Sequence, residues 1–230
     1  MATSILKNYH ELLYNIETCA RQNGRNPNEI TLIAVTKGIS WENASPLYAA
    51  GCHHFGENKL QEALTKTPQA PYDISWHMIG SLQHNKVKKA VQTFSWIHSV
   101  DSFQLAKTIS QCSLESSKTK TLTPINVFLQ VNTSGETSKH GFTPEDCLQA
   151  YESIQAMPGI KVQGLMTIAP LTENESVIRS CFSKLRQLKE QMQLPHLSMG
   201  MTHDYRLAIA EGATFLRIGT AIFTPSYFSS

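Results

Sequence analysis

No apolar run in these 230 residues approaches the roughly 20 that a transmembrane helix requires, so a bilayer-spanning role is not expected. An excess of charge of one sign is missing too. Lys and Arg total 20 against 18 Asp and Glu, a formal net charge of +2, which gives no electrostatic footing for nucleic acid or an anionic membrane. The cluster Lys86, Lys88, Lys89 is too small to change that and reads as a solvated helix face. Paired cysteines are absent. Cys19, Cys52, Cys112, Cys147 and Cys181 are five, an odd number, with no CxxC spacing, which argues against a disulfide framework and for reduced thiols. Neither GxGxxG nor GxxxxGK[ST] occurs, so a nucleotide-phosphate loop is not expected. No GxSxG elbow supports a serine triad. His and acidic residues do not gather at metal-ligand spacings, and adjacent His53 and His54 would point to opposite faces of a strand; no metal is expected. The N-terminal segment is amphipathic and soon acidic, without a signal-peptide core, and the expected location is cytoplasmic.

What is present is a repeat of short apolar runs and amphipathic segments. Residues 4–22 predict a helix, with Ile5, Tyr9, Leu12, Ile16 and Cys19 on one stripe. TLIAVT (31–36), CHHFG (52–56), SWHMIG (75–80), SWIHSV (95–100), PINVFLQVN (124–132), KVQGLMTI (161–168), HLSMG (196–200) and TFLRIG (214–219) predict eight buried strands. Helices are expected between them, capped by Ser40, by Asp101 or Ser102, and by Thr143 before Pro144. Cys19, Cys112, Cys147 and Cys181 fall on predicted apolar helix faces, as do Phe103, Leu148 and Val177. Parallel strands need such crossovers. Eight β/α units predict an α/β fold, a (β/α)₈ TIM barrel with an additional N-terminal helix, as one domain over 1–230. An open doubly wound sheet, the alternative, would normally carry a glycine-rich loop after its first strand.

In such a barrel the chemistry sits at the C-terminal strand ends. Lys37 follows the first strand and would present its amine at the barrel mouth, where partial desolvation favours the neutral, nucleophilic form. A lysine snorkelling at a strand end is the bland alternative. LSMG (197–200) and RIGTA (217–221) end the last two strands and are rich in small residues that let backbone N–H groups approach an anion. Ser198 and Thr220 can add hydroxyls, and Arg217 can meet a phosphate or a ring nitrogen. An amine on one side and an anion nest on the other suit pyridoxal 5′-phosphate (PLP), which carries an aldehyde and a phosphate on one ring. His77 and His98 read first as core residues. Met78, Met166, Met199 and Met201 are expected to fill core gaps or line the mouth.

The stretches LIAVTK (32–37), HFGENKLQEA (54–63), WHMIGSLQHNK (76–86), IHSVDS (97–102), VNTSGETSKHGF (131–142), GLMTI (164–168), LSMGMTHDYRLAIAEGAT (197–214) and RIGTAIF (217–223) run in order along nearly the whole chain. In this combination the sequence resembles the YggS/PROSC-like PLP homeostasis proteins, which are similar in fold to the N-terminal barrel of alanine racemase. The resemblance implies that Lys37 holds PLP as an aldimine, that Ser198, Gly219 and Thr220 help to hold the phosphate, that Arg217 lies against the pyridine ring, and that Asn58 and His77 lie near the pocket. It implies a PLP carrier or buffer and not an efficient enzyme, with free amino acids or apo-PLP enzymes as further partners. A monomer is expected. The competing reading is a weak amino-acid racemase; alanine racemase takes its opposite base from a second domain, which this sequence is expected to lack. A non-PLP phosphosugar binder is a third. The chain departs from the family at Lys37-Gly38-Ile39-Ser40, where K-x-x-P is common, at IFT (222–224) in place of IFG, and at Arg206, where an acid is frequent.

Overall fold

A computed structural model describes residues 2–116, 124–136, 139–225 and 227–228. Thr137 and Ser138, inside the VNTSGETSKHGF stretch, lie outside the described residues, as do Met1, Ser229 and Ser230 at the ends of the expected domain. Eight parallel strands pair in sequence order and close, β8 returning to β1. They are β1 (Thr31–Val35), β2 (His54–Glu57), β3 (Ser75–Met78), β4 (Trp96–Val100), β5 (Ile125–Gln130), β6 (Ile160–Met166), β7 (His196–Ser198) and β8 (Phe215–Ile218). The α-helices are α1 (Ala2–Gln22), α2 (Trp41–Ala49), α3 (Leu60–Lys66), α4 (Val87–Thr93), α5 (Phe103–Ser116), α6 (Pro144–Gln155), α7 (Glu175–Gln191), α8 (Tyr205–Ala210) and α9 (Thr220–Phe223). The expected TIM barrel with an extra N-terminal helix is therefore the observed fold.

Local chemistry explains the helix starts. The Ser40 hydroxyl accepts from Asn43 N, that of Ser102 from Leu105 N, and that of Thr143 from Asp146 N with Pro144 in the first turn, each satisfying an otherwise orphaned amide. Ile5, Tyr9, Leu12, Ile16 and Cys19 are all buried, so the α1 stripe packs as its spacing predicts. α1 lies against α2, α8 and α9. Its Asn8 side chain donates to the carbonyls of Ile222 (3.2 Å) and Thr224 (2.7 Å). Just beyond its other end, Arg25 donates to those of Ile209 (2.9 Å) and Ala213 (2.7 Å).

The main core lies between strands and helices. A second, smaller one fills the barrel itself with Ile33, Phe128, Met166 and Phe215, and Trp96 packs against it.

The structure corrects several details. The second strand lies two residues later than expected at its start and includes Glu57, because Glu57 is held inside by buried partners described below. On α7 the inward stripe is Ile178, Cys181, Phe182, Leu185 and Leu188, while Val177 is exposed. Leu148 and Phe103 also face solvent and Cys112 is half-buried. In each case a neighbouring residue of the stripe occupies the contact, since a stripe on a 3.6-residue period fixes its direction only to within about one position.

Candidate functional site

A cavity of about 410 Å³ opens at the C-terminal ends of β1, β2, β6, β7 and β8, a size in the usual range for small ligands. Lys37, Asn58, Arg217, Gly219 and Thr220 all line it. Five of the seven site residues expected from the sequence thus share one cavity. Met201, Thr202, His203, Phe223 and Thr224 complete the β7 and β8 side; of these the sequence marks only Met201 for the core or the mouth.

Lys37 is exposed, so the desolvation expected of it is not found. What is fixed is the backbone that carries it. Thr36, directly before it, is fully buried. The Thr36 carbonyl accepts from Lys66 Nζ at 2.6 Å, and Lys66 pairs with Glu57 at 2.5 Å. The Thr36 hydroxyl donates to the same Glu57 Oε1. Glu57 Oε2 has no hydrogen-bond partner among the described residues. Burial raises the Glu57 pKa, while Lys66 and Thr36 act against that shift. On the far side, Gly38 N donates to Glu62 at 2.7 Å. The turn bearing Lys37 is thus pinned on both flanks. Sequence alone hid this device, because Lys66 reads as an ordinary exposed lysine ending a helix.

Across the cavity, the loops after β7 and β8 are shaped by glycine. Gly200 has φ +97°, and a Cβ there would meet Ala208 Cβ at 2.7 Å. At Gly219 a Cβ would lie 2.8 Å from the Val35 carbonyl oxygen, so only glycine lets β8 leave this close to β1. Thr202 Oγ1 accepts from Ala221 N at 3.3 Å and ties the two loops together. Thr220 is exposed at the rim.

Arg217 enters from β8 and is 5% exposed. Its Nη1 donates to Ser198 Oγ (2.6 Å) and its Nη2 to the Thr167 carbonyl (2.9 Å). No carboxylate is in ion-pair contact with it among the described residues. Burial pushes its pKa down to about 10, with the Asp204 charge acting the other way. Asp204 itself is buried and accepts from Met201 N at 2.6 Å, and burial raises its pKa.

Two expected site residues sit elsewhere. Ser198 and His77 are wholly buried and are not among the residues lining the cavity. They lie in the barrel interior on a line of hydrogen bonds. His54 Nδ1 meets His77 Nε2 at 3.0 Å, His77 Nδ1 meets His98 Nε2 at 2.9 Å, and His98 Nδ1 meets Ser198 Oγ at 2.8 Å. Burial holds the His77 and His98 pKa values well below the ordinary 6.5, and lowers that of His54 less strongly. The line starts at His54, beside a second cavity at the N-terminal ends of β1 and β2, and ends at Arg217.

The model for the alanine racemase N-terminal domain family matches residues 8–226. A pyridoxal phosphate homeostasis protein of Pseudomonas aeruginosa is 39% identical over 224 residues, covering 96% of this chain and 95% of that protein. Among solved structures, a protein of Bifidobacterium adolescentis has a TM-score of 0.89 at 35% identity, covering 96% of this chain and 95% of that one. PipY of Synechococcus elongatus, solved with PLP bound, has a TM-score of 0.77 at 37% identity, covering 90% of this chain and 99% of that one.

Proposed function

The chain belongs to the family of pyridoxal phosphate homeostasis proteins, built on the alanine racemase N-terminal domain, and from that premise we propose that it binds PLP in the upper cavity and serves intracellular PLP homeostasis. The observation that carries this reading is the donor set around one cavity: an amine at Lys37, a buried guanidinium at Arg217 with no carboxylate in ion-pair contact among the described residues, and the small-residue turn Gly219–Thr220. PLP needs an amine for its aldehyde, a group for its ring nitrogen and a cradle for its phosphate, and these residues fit all three. When bound, the cofactor supplies an aldehyde that reacts reversibly with amines.

Each side chain then has a definite task. Lys37 offers Nζ, on a turn held by Lys66, Glu57 and Glu62. Arg217 can only donate hydrogen bonds, so against a pyridine nitrogen it favours the unprotonated ring. Gly219 and Thr220 would present backbone and hydroxyl donors to the phosphate, and Asn58, just past β2, lines the same cavity. Retaining a reactive aldehyde on one lysine, with ring and phosphate also recognised, keeps it from other amines and suits a carrier or buffer. Free amino acids or apo-PLP enzymes would be the recipients. We place this in one domain, 1–230, working as a cytoplasmic monomer without efficient turnover. No helix among the described residues is long and apolar enough to cross a membrane.

Borohydride reduction of the PLP-treated protein, followed by peptide mapping, tests the assignment. One phosphopyridoxyl group on Lys37, lost in Lys37→Ala, is expected; scattered labelling or none overturns it. One observation favours a second reading, weak racemisation: exposed His203 lines the same cavity and offers an imidazole there besides Lys37 and Arg217. Solvent exchange of the alanine α-proton, lost in both Lys37→Ala and His203→Ala, would establish it.

A further inference from the structure

The hydrogen-bond line through the barrel has a direction that follows from its last member. Arg217 has no acceptor atom, so in the Arg217–Ser198 contact the guanidinium donates. Among the described residues the Ser198 hydroxyl has one other partner, His98 Nδ1, so its proton is satisfied only by donating there. With Nδ1 accepting, a neutral His98 carries its proton on Nε2 and donates to His77 Nδ1. By the same logic His77 donates from Nε2 to His54 Nδ1. Every member of the line is thereby set in one tautomer, and all donors point away from Arg217. The imidazoles cannot swing to other partners. His77 stacks on Trp96 with ring centroids 5.5 Å apart and planes 16° apart, and His98 lies 4.4 Å from the Phe128 ring.

The cavity does not need imidazoles at this depth, and none of the three touches it. What they do is hold the Ser198 hydroxyl so that a lone pair faces Arg217 Nη1. The Thr167 carbonyl holds Nη2 in the same way. With both ends of the fork tied, the guanidinium plane is fixed and its remaining N–H groups are left for the cavity. We infer that His98, backed by His77 and His54, is a positioning residue for Arg217, orienting through Ser198 the donor that meets the cofactor's ring nitrogen. This rests on the reading of the cavity as a PLP site with Arg217 at the ring.

A comparison of two ligands separates positioning from mere structural support. The probes are PLP and 1-deazapyridoxal 5′-phosphate, in which CH replaces the ring nitrogen, and the readout is the Kd of each. In His98→Leu, Ser198 loses its acceptor. PLP affinity is expected to fall about tenfold, the worth of one hydrogen bond, while the deaza analogue changes little. His98→Asn places an acceptor amide oxygen near the former Nδ1 and is expected to recover most of the loss. Equal weakening of both ligands, or of neither, overturns the inference. Arg217→Gln distinguishes the two levels of failure. If it discriminates between the ligands while His98→Leu does not, the PLP reading stands and the positioning role falls; if neither discriminates, the placement of Arg217 at the ring falls with it. Should His98→Leu not fold, nitrogen-15 NMR of the wild-type protein still decides. His98 and His77 must both carry the proton on Nε2, and a proton on His98 Nδ1 reverses the line and overturns the inference.

Discussion

Acid should destabilise this fold through two residues. His77 and His98 are fully buried and hydrogen-bonded within the barrel, and burial depresses both pKa values well below 6.5. The unfolded chain therefore binds more protons than the folded one below that pH. The stability these neutral imidazoles allow is complete above about pH 6.5 and is lost as pH falls. Each such group costs about 1.4 kcal/mol per pH unit, so one unit below 6.5 the pair costs about 3 kcal/mol, a large part of the ~5–15 kcal/mol that holds a typical domain. Glu57 and Asp204, whose pKa values burial raises, act in the opposite direction, since the folded form gains protons there first. Subtracting a variant removes their contribution. Urea unfolding followed by tryptophan fluorescence at pH 7.5 and 5.5 gives the loss for wild type and for His98→Asn. The loss should be about 1.4 kcal/mol smaller in the variant. Parallel losses in the two proteins would refute a buried, neutral His98 and the hydrogen-bond line with it.

Other outcomes follow from the same geometry. Lys66→Met leaves Glu57 buried without its cation and should cost about 3–5 kcal/mol in chemical denaturation, whereas the paired change Lys66→Met with Glu57→Gln should recover much of it. PLP at 100 times its Kd should add about 2.7 kcal/mol to the unfolding free energy, and Arg217→Gln should reduce that gain at fixed PLP concentration. Gly219→Ala, whose Cβ would lie 2.8 Å from the Val35 carbonyl oxygen, should weaken PLP binding at least tenfold in a fluorescence titration, by pushing the loop off β1, about 1.4 kcal/mol or more. Phe128→Ala should cost about 3–5 kcal/mol, because the barrel interior cannot collapse onto the gap.

The strands and the barrel were legible because most are short apolar runs between turn residues, such as TLIAVT (31–36) and PINVFLQVN (124–132), and because segments with a period-3.6 stripe, such as α6 and α7, separate them. That Lys37, Arg217, Gly219 and Thr220 meet at one cavity was legible for a different reason: barrel geometry gathers residues at and just past the strand ends at one mouth. Depth within the barrel was not legible. Ser198 and Arg217 both lie at strand ends, yet Ser198 turns into the interior and Arg217 reaches the cavity, a difference set by side-chain length and by which partner accepts a hydrogen bond. The histidines show the same limit. His54, His77 and His98 stand on three successive strands; His77 and His98 read singly as core residues, and His54 only as the neighbour of His53 on the opposite face. Only lateral pairing of those strands makes them neighbours, and no spacing within one segment records that. Lys66 escaped notice because Glu57, its partner, lies nine positions away on another element.

The clasp between α1 and the last helix has a consequence for how the molecule is made. Asn8 binds the Ile222 carbonyl across 214 positions of chain, and β1 finds β8 only after nearly everything between them exists. Lys37 and Arg217, carried by the first and the last strand, line one cavity only once that closure is made. Contacts of such long sequence separation form late and slowly. Closure of the ring and completion of the cavity are then expected as a single event.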